Sequence, residues 1–587
     1  MPSILLAFAV LVTAYASTFV YRFTRGWIDG RKTGFPLVLL PLDPNWLPWM
    51  IVSVPWRKWL QKNLPRSIYQ RVVLSIYGWE FWEKTAPYDE LAAPQGDRKN
   101  FLLVSCGRLE LWTCDSAIVA EVLSRPKDFN QLDIGNFILN KFGDNILTTD
   151  GDRWARHRKV VAGVINERIS KSVFDETVVQ ARGLLDQIQT DSNGTSAIET
   201  NKAFDWAKKI TMQVLSGAGM GTQLPWNNEG HEKPAPGFKQ TYSQSVTHVI
   251  SNIAGPLLLP QWFLLNYPSW APGYSVLKPL GIAIEEFPIH TDRLLQDERR
   301  RAREEGGSSK SNILSQLLEA SDSSEKQSAK SAPLSDRELR GDLFIFTAAG
   351  FDTTANTISY AFVLLARYPK WQDWLFEEVD DILPNDPNEE LDYIATFPRA
   401  TRTLAFMLEV LRLFTPLNHI AKQAQTPQPL HTPGKTYWLP ANTTMYINVV
   451  PLHRDPAVWR GLNLPEGETS AKDDELHFRP NRWTNPSGSA QVLYQPAKGT
   501  YVPWSAGPRV CPGQKMGQVE FVAVFLTILR THRIDAVALG EESKQVMNKR
   551  LDARMEKSHS LLTLQMEDIY DVKGEDDGLK LRISRRK

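Results

Sequence analysis

The stretch Tyr501–Phe521, YVPWSAGPRVCPGQKMGQVEF, decides how the rest of the chain is read. Pro503, Gly507, Pro508, Pro512 and Gly513 force an irregular loop, and a helical pattern starts directly after Gly513. Cys511 stands at that loop-to-helix junction, where free backbone N–H groups and the helix dipole favour a thiolate over a thiol. A lone cysteine is ordinarily a small buried hydrophobe. That role leaves Trp504, Gly507, Arg509 and Gly513, all within seven positions of it, without a purpose. A thiolate is what a haem iron needs if its ligand is to push electron density toward O–O cleavage. Gly507 and Gly513 allow backbone to approach a flat macrocycle, and Arg509 offers a cation for a propionate.

Three constellations farther out bear on the same chemistry. In Glu409-Val410-Leu411-Arg412 a spacing of three puts carboxylate and guanidinium on one helical face. Any surface helix can hold such a pair, so its meaning depends on company. Ala349-Gly350-Phe351-Asp352-Thr353-Thr354 lies inside the apolar segment 338–368. A glycine in mid-helix costs stability, and a polar patch between LFIFTAA and ISYAFVLL needs a reason. Thr353 can hydrogen-bond back to the preceding turn and open a groove, and Asp352 can relay protons with water. The plainer reading is a polar face of an ordinary helix. Trp154 and Arg158, four apart, share one helical face. They lie in a basic run with Arg153, Arg156, His157 and Lys159 that also reads as a cationic docking face or as a solvated one.

Together these segments carry a family resemblance. WSAGPRVCPG resembles the haem-binding loop of the cytochrome P450 monooxygenases, F-x-x-G-x-R-x-C-x-G, with Trp504 where Phe is usual. Gly517 stands where that family commonly has Ala. Glu409 and Arg412 resemble its E-x-x-R helix, and Arg482 in FRPNRW looks like the third member, with Asn481 replacing the usual Glu. Asp352 and Thr353 resemble the acid–alcohol pair of the helix crossing the oxygen face of the haem. Trp154 and Arg158 resemble W-x-x-x-R, which reaches a propionate. His453-Arg454-Asp455-Pro456 with Trp459 is similar to the connection after the family's β-rich segment. The resemblance runs from about residue 70 onward. It implies a mainly α fold with small β-sheets, haem b held by Cys511 as axial ligand, and Asp352 and Thr353 as catalytic residues. Trp154, Arg158, Arg509, Trp504, Gly507 and Gly513 would line the cofactor, and Glu409, Arg412 and Arg482 would hold the scaffold.

The same resemblance implies electrons from NADPH through a separate NADPH–cytochrome P450 reductase, with cytochrome b5 as a second candidate donor, and an apolar small-molecule substrate. No glycine-rich nucleotide fingerprint beside a strand is evident, in keeping with an external donor. The overall style is most similar to filamentous-fungal members, which often tailor secondary metabolites. Two alternatives are a haem-thiolate isomerase or dehydratase, whose members tend to lose the acid–alcohol pair, and a non-catalytic haem-binding membrane protein. Candidate specificity stretches are 126–147, 215–265 and 414–421.

Composition limits the rest. The 587 residues are 42% hydrophobic and 23% charged with net charge +1, which argues against a nucleic-acid partner. Cys106, Cys114 and Cys511 form neither a disulfide framework nor a zinc ribbon. From Ser3 to Tyr21 no residue is charged, a length that crosses a bilayer as a helix. Arg22, Arg25, Arg31 and Lys32 follow at once, so the positive-inside rule puts the body in the cytosol. Ala14-Tyr15-Ala16 also looks like a signal-peptide cleavage site, but the basic n-region is missing. These features predict a single-pass anchor over 1–22 in the endoplasmic reticulum membrane, a Pro/Trp-rich connector over 23–69, and a catalytic domain over 70–587. The sequons at Asn193 and Asn442 would then stay unmodified.

Periodicity predicts helices over 114–124, 151–190, 204–218, 338–368, 370–382, 399–414 and 513–531. Short strands are predicted at 101–105, 109–113, 437–439, 443–447, 560–565 and 579–584. A Ser/Lys-rich loop fills 306–336, with a helix candidate at 312–320.

Overall fold

A computed structural model describes residues 2–40, 43, 49, 56–72, 85–106, 108–132, 139–192, 197–227, 233–252, 259–304, 312–323, 333–465, 467–484, 492–560, 563–566 and 579–586. The sequon at Asn193, much of the Ser/Lys-rich loop and residues 41–42, 44–48 and 50–55 of the connector lie outside these residues.

Among the described residues, the strands form one six-stranded sheet and three small ones. The large sheet takes β1 (Leu37–Leu39), β2 (Asn100–Ser105), β3 (Arg108–Thr113), β4 (Phe129–Gln131), β6 (His419–Ala424) and β9 (Thr443–Asn448), in the order β1-β2-β3-β9-β6-β4. A second sheet joins β5 (Ala197–Thr200), β10 (His532–Ala536) and β13 (Leu581–Arg585). Two hairpins complete the set: β7 (Gln428–Thr432) with β8 (Lys435–Leu439), and β11 (Ser558–Ser560) with β12 (Leu564–Met566). β2 and β9 are buried along their whole length, so their alternation is lost and they read as apolar runs. The predicted strand 560–565 is in fact the tip of the β11–β12 hairpin with parts of both strands.

The helical body contains α1 (Pro2–Thr33), α2 (Ser116–Ser124), α3 (Gly151–Val164), α4 (Glu167–Asp191), α5 (Ala203–Val214), α6 (Tyr274–Glu304), α7 (Asp336–Arg367), α8 (Thr401–Leu413) and α9 (Gln514–Leu529). The stretch predicted as one helix over 151–190 is two, because Asn166 takes an extended backbone and caps α4 by accepting from the amides of Arg168 and Ile169. α7 opens with a reciprocal capping box between Ser335 and Glu338. α9 is apolar all round and buried from Val519 to Leu529, as expected of a helix at the centre of a core. α6 escapes sequence periodicity because Pro279 and Pro288 sit inside it.

The apolar N-terminal segment is helical, and the helix runs on without a break to Thr33. Leu6, Val10, Val12, Tyr15, Val20 and Tyr21 are exposed on it. Its C-terminal part seats on the large sheet. A Cβ at Gly30 would lie 3.2 Å from Val104 and 3.3 Å from Leu102, and one at Gly26 3.4 Å from Val104. The small residues let the helix backbone come close to β2. Among the described residues, no helix is long and apolar enough to cross a membrane.

Candidate active site

Cys511 lies on the loop between β-rich segment and α9, with its amide donating to the Trp504 carbonyl at 2.8 Å. Trp504 packs toward Trp459, Trp483 and Leu408. The loop needs glycine at 507 for two independent reasons. Its φ is +67°, and a Cβ there would sit 2.3 Å from the Leu123 carbonyl oxygen of α2. Gly507 therefore serves packing of the loop against α2. Gly513 has φ −82°, and a Cβ there would meet only the Cys511 sulfur at 3.9 Å. Burial raises the Cys511 thiol above its ordinary pKa. The Gly513 and Gln514 amides and the Arg158 charge oppose that rise without overcoming it. The junction thus supplies the expected thiolate-stabilising groups, the Gly513 and Gln514 amides and the Arg158 charge.

Three predicted contacts converge beside the loop. Arg158 on α3 donates to the Val510 carbonyl at 3.1 Å. The Arg509 guanidinium lies 4.6 Å from the centre of the Trp154 ring, donates to the Thr149 carbonyl at 2.8 Å and pairs with Asp150. Lys422 on β6, which the sequence did not single out, joins them: burial first, then Arg509, pushes its ammonium down to about 8. The rest of the basic run is largely engaged inside the molecule. Arg153 pairs with Asp144 at 2.8 Å, Arg156 pairs with Glu338, and His157 Nδ1 lies 2.7 Å from Asp342, both fully buried.

On the opposite wall stands α7. Nearly every residue from Leu339 to Ala366 is buried, but Ala349 and Gly350 are exposed, and Phe346 and Thr353 are half-exposed. At spacings of three and four these make one open stripe in the middle of an otherwise buried helix. A Cβ at Gly350 would meet nothing within 4 Å. Thr353 donates back to the Ala349 carbonyl at 2.7 Å, as expected. Thr347, Thr357 and Ser359 make similar bonds, so the bond itself is not distinctive. The position on the open stripe is. Asp352 is buried and turned toward the β11–β12 hairpin, where it accepts from Thr563. α9 approaches α7 near here: a Cβ at Gly517 would lie 3.8 Å from Thr354 Oγ1.

Behind the loop, Glu409 is fully buried among donors. It accepts Arg412 Nε and Nη2, Arg482 Nε, Trp483 Nε1 and the Arg479 amide, each at 2.9 Å. Arg412 goes on to the carbonyls of His453 at 2.9 Å and Glu475 at 2.6 Å. Arg482 reaches the Trp459 carbonyl at 2.7 Å. His453 Nε2 accepts the Val502 amide at 2.9 Å, linking this network to the cysteine loop. Sequence reading treated His453 as an alignment mark only. The signal available was a histidine next to Arg454 after the short helical turn Val449–Leu452, which alone does not reveal its partner.

An accessible sulfur at a loop-helix junction, an open stripe on α7 and the cations Arg158, Arg509 and Lys422 fit a flat, dianionic, iron-bearing group. The Cytochrome P450 family model matches residues 108–561. A phomenoic acid biosynthesis cluster cytochrome P450 monooxygenase of Leptosphaeria maculans is 38% identical over 599 residues, covering 99% of this chain and 100% of that relative. Cytochrome P450 monooxygenase 124 of Postia placenta is 30% identical over 450 residues, 75% of this chain and 77% of the relative. Cytochrome P450 monooxygenase prx9 of Penicillium rubens is 26% identical over 548 residues, 87% and 88%. This chain belongs to the cytochrome P450 monooxygenase family.

Proposed function

We propose that the protein inserts one oxygen atom of O2 into an apolar organic substrate, with electrons from NADPH delivered by NADPH–cytochrome P450 reductase. Cytochrome b5 is a second candidate donor. The observation that carries this reading is the exposed Cys511 just before α9, the helix that approaches Thr354 of the acid–alcohol segment on α7 at Gly517. Haem b supplies the oxygen-activating chemistry when bound. Cys511 ligates its iron, while Arg158 and Arg509, with Lys422 beside them, face its carboxylates. Trp154 orients Arg509, and Trp504 accepts the Cys511 amide. Thr353 borders the open stripe and Asp352, one residue before it, handles the proton. The intact acid–alcohol pair favours monooxygenation over isomerisation or dehydration. The end-to-end match to a relative named for a biosynthetic cluster supports a role in secondary-metabolite tailoring.

The exposed apolar side chains of α1, from Leu6 to Tyr21, and the basic residues that follow support a single-pass anchor over 1–22 with the catalytic domain, 70–587, on the cytosolic side of the endoplasmic reticulum. Residues 23–69 form the connector. Trp262 and Trp270, 68% and 85% exposed, favour a body that also rests on the headgroup layer.

The test is the carbon monoxide difference spectrum of the reduced holoenzyme beside Cys511→Ala. A red-shifted Soret band lost in the variant supports thiolate ligation. A folded wild type with only the blue-shifted band of a neutral or histidine ligand refutes it.

A further inference from the structure

Asp352, Asn356 and Tyr360 recur every four residues on α7 and so run along one side of it, flanking the open stripe. That face meets the β11–β12 hairpin residue by residue. Tyr360 OH lies 2.5 Å from Ser558 Oγ at one end. At the other, Thr563 in the hairpin tip donates to Asp352 Oδ2, and Gln565 Nε2 approaches the same carboxylate at 3.4 Å. Asn356 Nδ2 donates to the Asp352 carbonyl and to Thr563 Oγ1, both at 2.9 Å. The orientation of the Asn356 amide follows, because a backbone carbonyl only accepts. Its N–H therefore occupies the Thr563 oxygen, which leaves the hydroxyl proton committed to Asp352. Asp352, Asn356 and Thr563 are all buried, so this polarity is not diluted by solvent. Lys208 on α5 is the nearby cation; burial pushes its ammonium down, and Asp352 opposes that. The hairpin is itself fixed at its tip, where the Leu564 amide donates to the Pro416 carbonyl at 2.8 Å. Thr563 lies just beyond residue 561, where the family match ends.

We propose that Thr563 is a positioning residue for Asp352: the hairpin tip holds the carboxylate of the acid–alcohol pair in place, and proton handling beside Thr353 depends on it. This rests on the reading of Asp352 given above. The test uses full-length holoenzyme with its reductase and NADPH as the probe, in H2O and in D2O. Thr563→Val and Asp352→Asn are each expected to slow NADPH oxidation several-fold and to enlarge the solvent isotope effect. The double variant should be no slower than Asp352→Asn alone, and Thr563→Ser should restore the wild-type rate. A readout independent of activity is the thermal midpoint, where the shift caused by Thr563→Val should shrink in the Asp352→Asn background. Thr563→Ala serves where the valine variant does not retain haem. If Thr563→Val oxidises NADPH at the wild-type rate while Asp352→Asn is slow, the positioning role is overturned and the role of Asp352 stands. A slow valine variant that serine does not rescue also overturns it, since that marks a structural defect. If Asp352→Asn itself matches wild type, both readings fall.

Discussion

His453 joins two parts of the molecule: its carbonyl accepts Arg412 Nη1 at 2.9 Å, and its ring Nε2 accepts the Val502 amide at 2.9 Å. Burial first, then the Arg412 charge, holds the imidazole down to about 3, so it remains a neutral acceptor across the physiological range. One hydrogen-bonded route from the buried Glu409 cluster to the cysteine loop thereby runs through His453. His453→Leu leaves the Val502 N–H buried without that acceptor, at a cost of about 1–3 kcal/mol. Haem content should fall along with the thermal midpoint, whereas a change at Glu409 should act on the midpoint first. Absorbance per protein and a melting curve check both.

Glu409→Gln should be far more damaging. Burial alone would raise the Glu409 pKa, but Arg412 and Arg482 outweigh it and bring it to about 2. Leaving two guanidiniums buried without their carboxylate costs about 3–5 kcal/mol. The pH sign follows from the depressed value. An unfolded glutamate titrates near ~4.3, so the stabilisation is fully present above that and is lost as pH falls toward about 2. Chemical unfolding between pH 5 and 2 should show a steep acid loss in the wild type. Glu409→Gln should lack that slope.

Lys422 predicts the reverse pH behaviour. Its folded pKa of about 8 lies below the unfolded value of ~10.4. Below about 8 the chain carries a buried cation at a penalty, and stability of the haem-free protein should rise as pH climbs from about 8 to 10. Lys422→Met should remove that rise and stabilise the haem-free protein at neutral pH. If Lys422 faces the haem carboxylates as proposed, the same variant should lose haem faster to an acceptor apoprotein. Equal haem loss from variant and wild type would remove Lys422 from the cofactor's surroundings.

How far these features were legible before the structure depends on how local they are. Cys511, Arg509 and Gly507 sit within five residues, and Trp154 and Arg158 within one turn, so the chain itself carries their juxtaposition. The Glu409–Arg412 pair is local too, and the third member Arg482 entered only through the family resemblance. Lys422, His453 and Thr563 were missed because each acts across 49 to 211 residues of sequence or through a charge on another element. The packing reason for Gly507 was not legible, since its neighbour Leu123 lies far upstream. The basic run on α3 read as a free cationic surface because the carboxylates of Asp144, Glu338 and Asp342 that engage it are remote in sequence.

Gly507→Ala tests the close packing of the loop on α2. The left-handed φ costs about 1 kcal/mol for alanine, and a Cβ 2.3 Å from a backbone oxygen forces the loop or α2 to move. Cys511 lies four residues on, so the variant should lose haem before it loses helical content, which absorbance and circular dichroism distinguish. An alanine variant with full haem and an unchanged melting curve would show that the loop yields without cost.

The seat of α1 on β2 makes the N-terminal helix a mast, not a tether. Because the helix is continuous from Leu6 past Gly30, the pitch and heading of the catalytic body follow from one axis. Each residue of an α-helix advances by about 100° around the axis, so a single insertion between Tyr21 and Gly26 would swing the exposed apolar side chains from Leu6 to Tyr21 to another side of the body. The direction those side chains face is thereby written into the helix phase of a few residues.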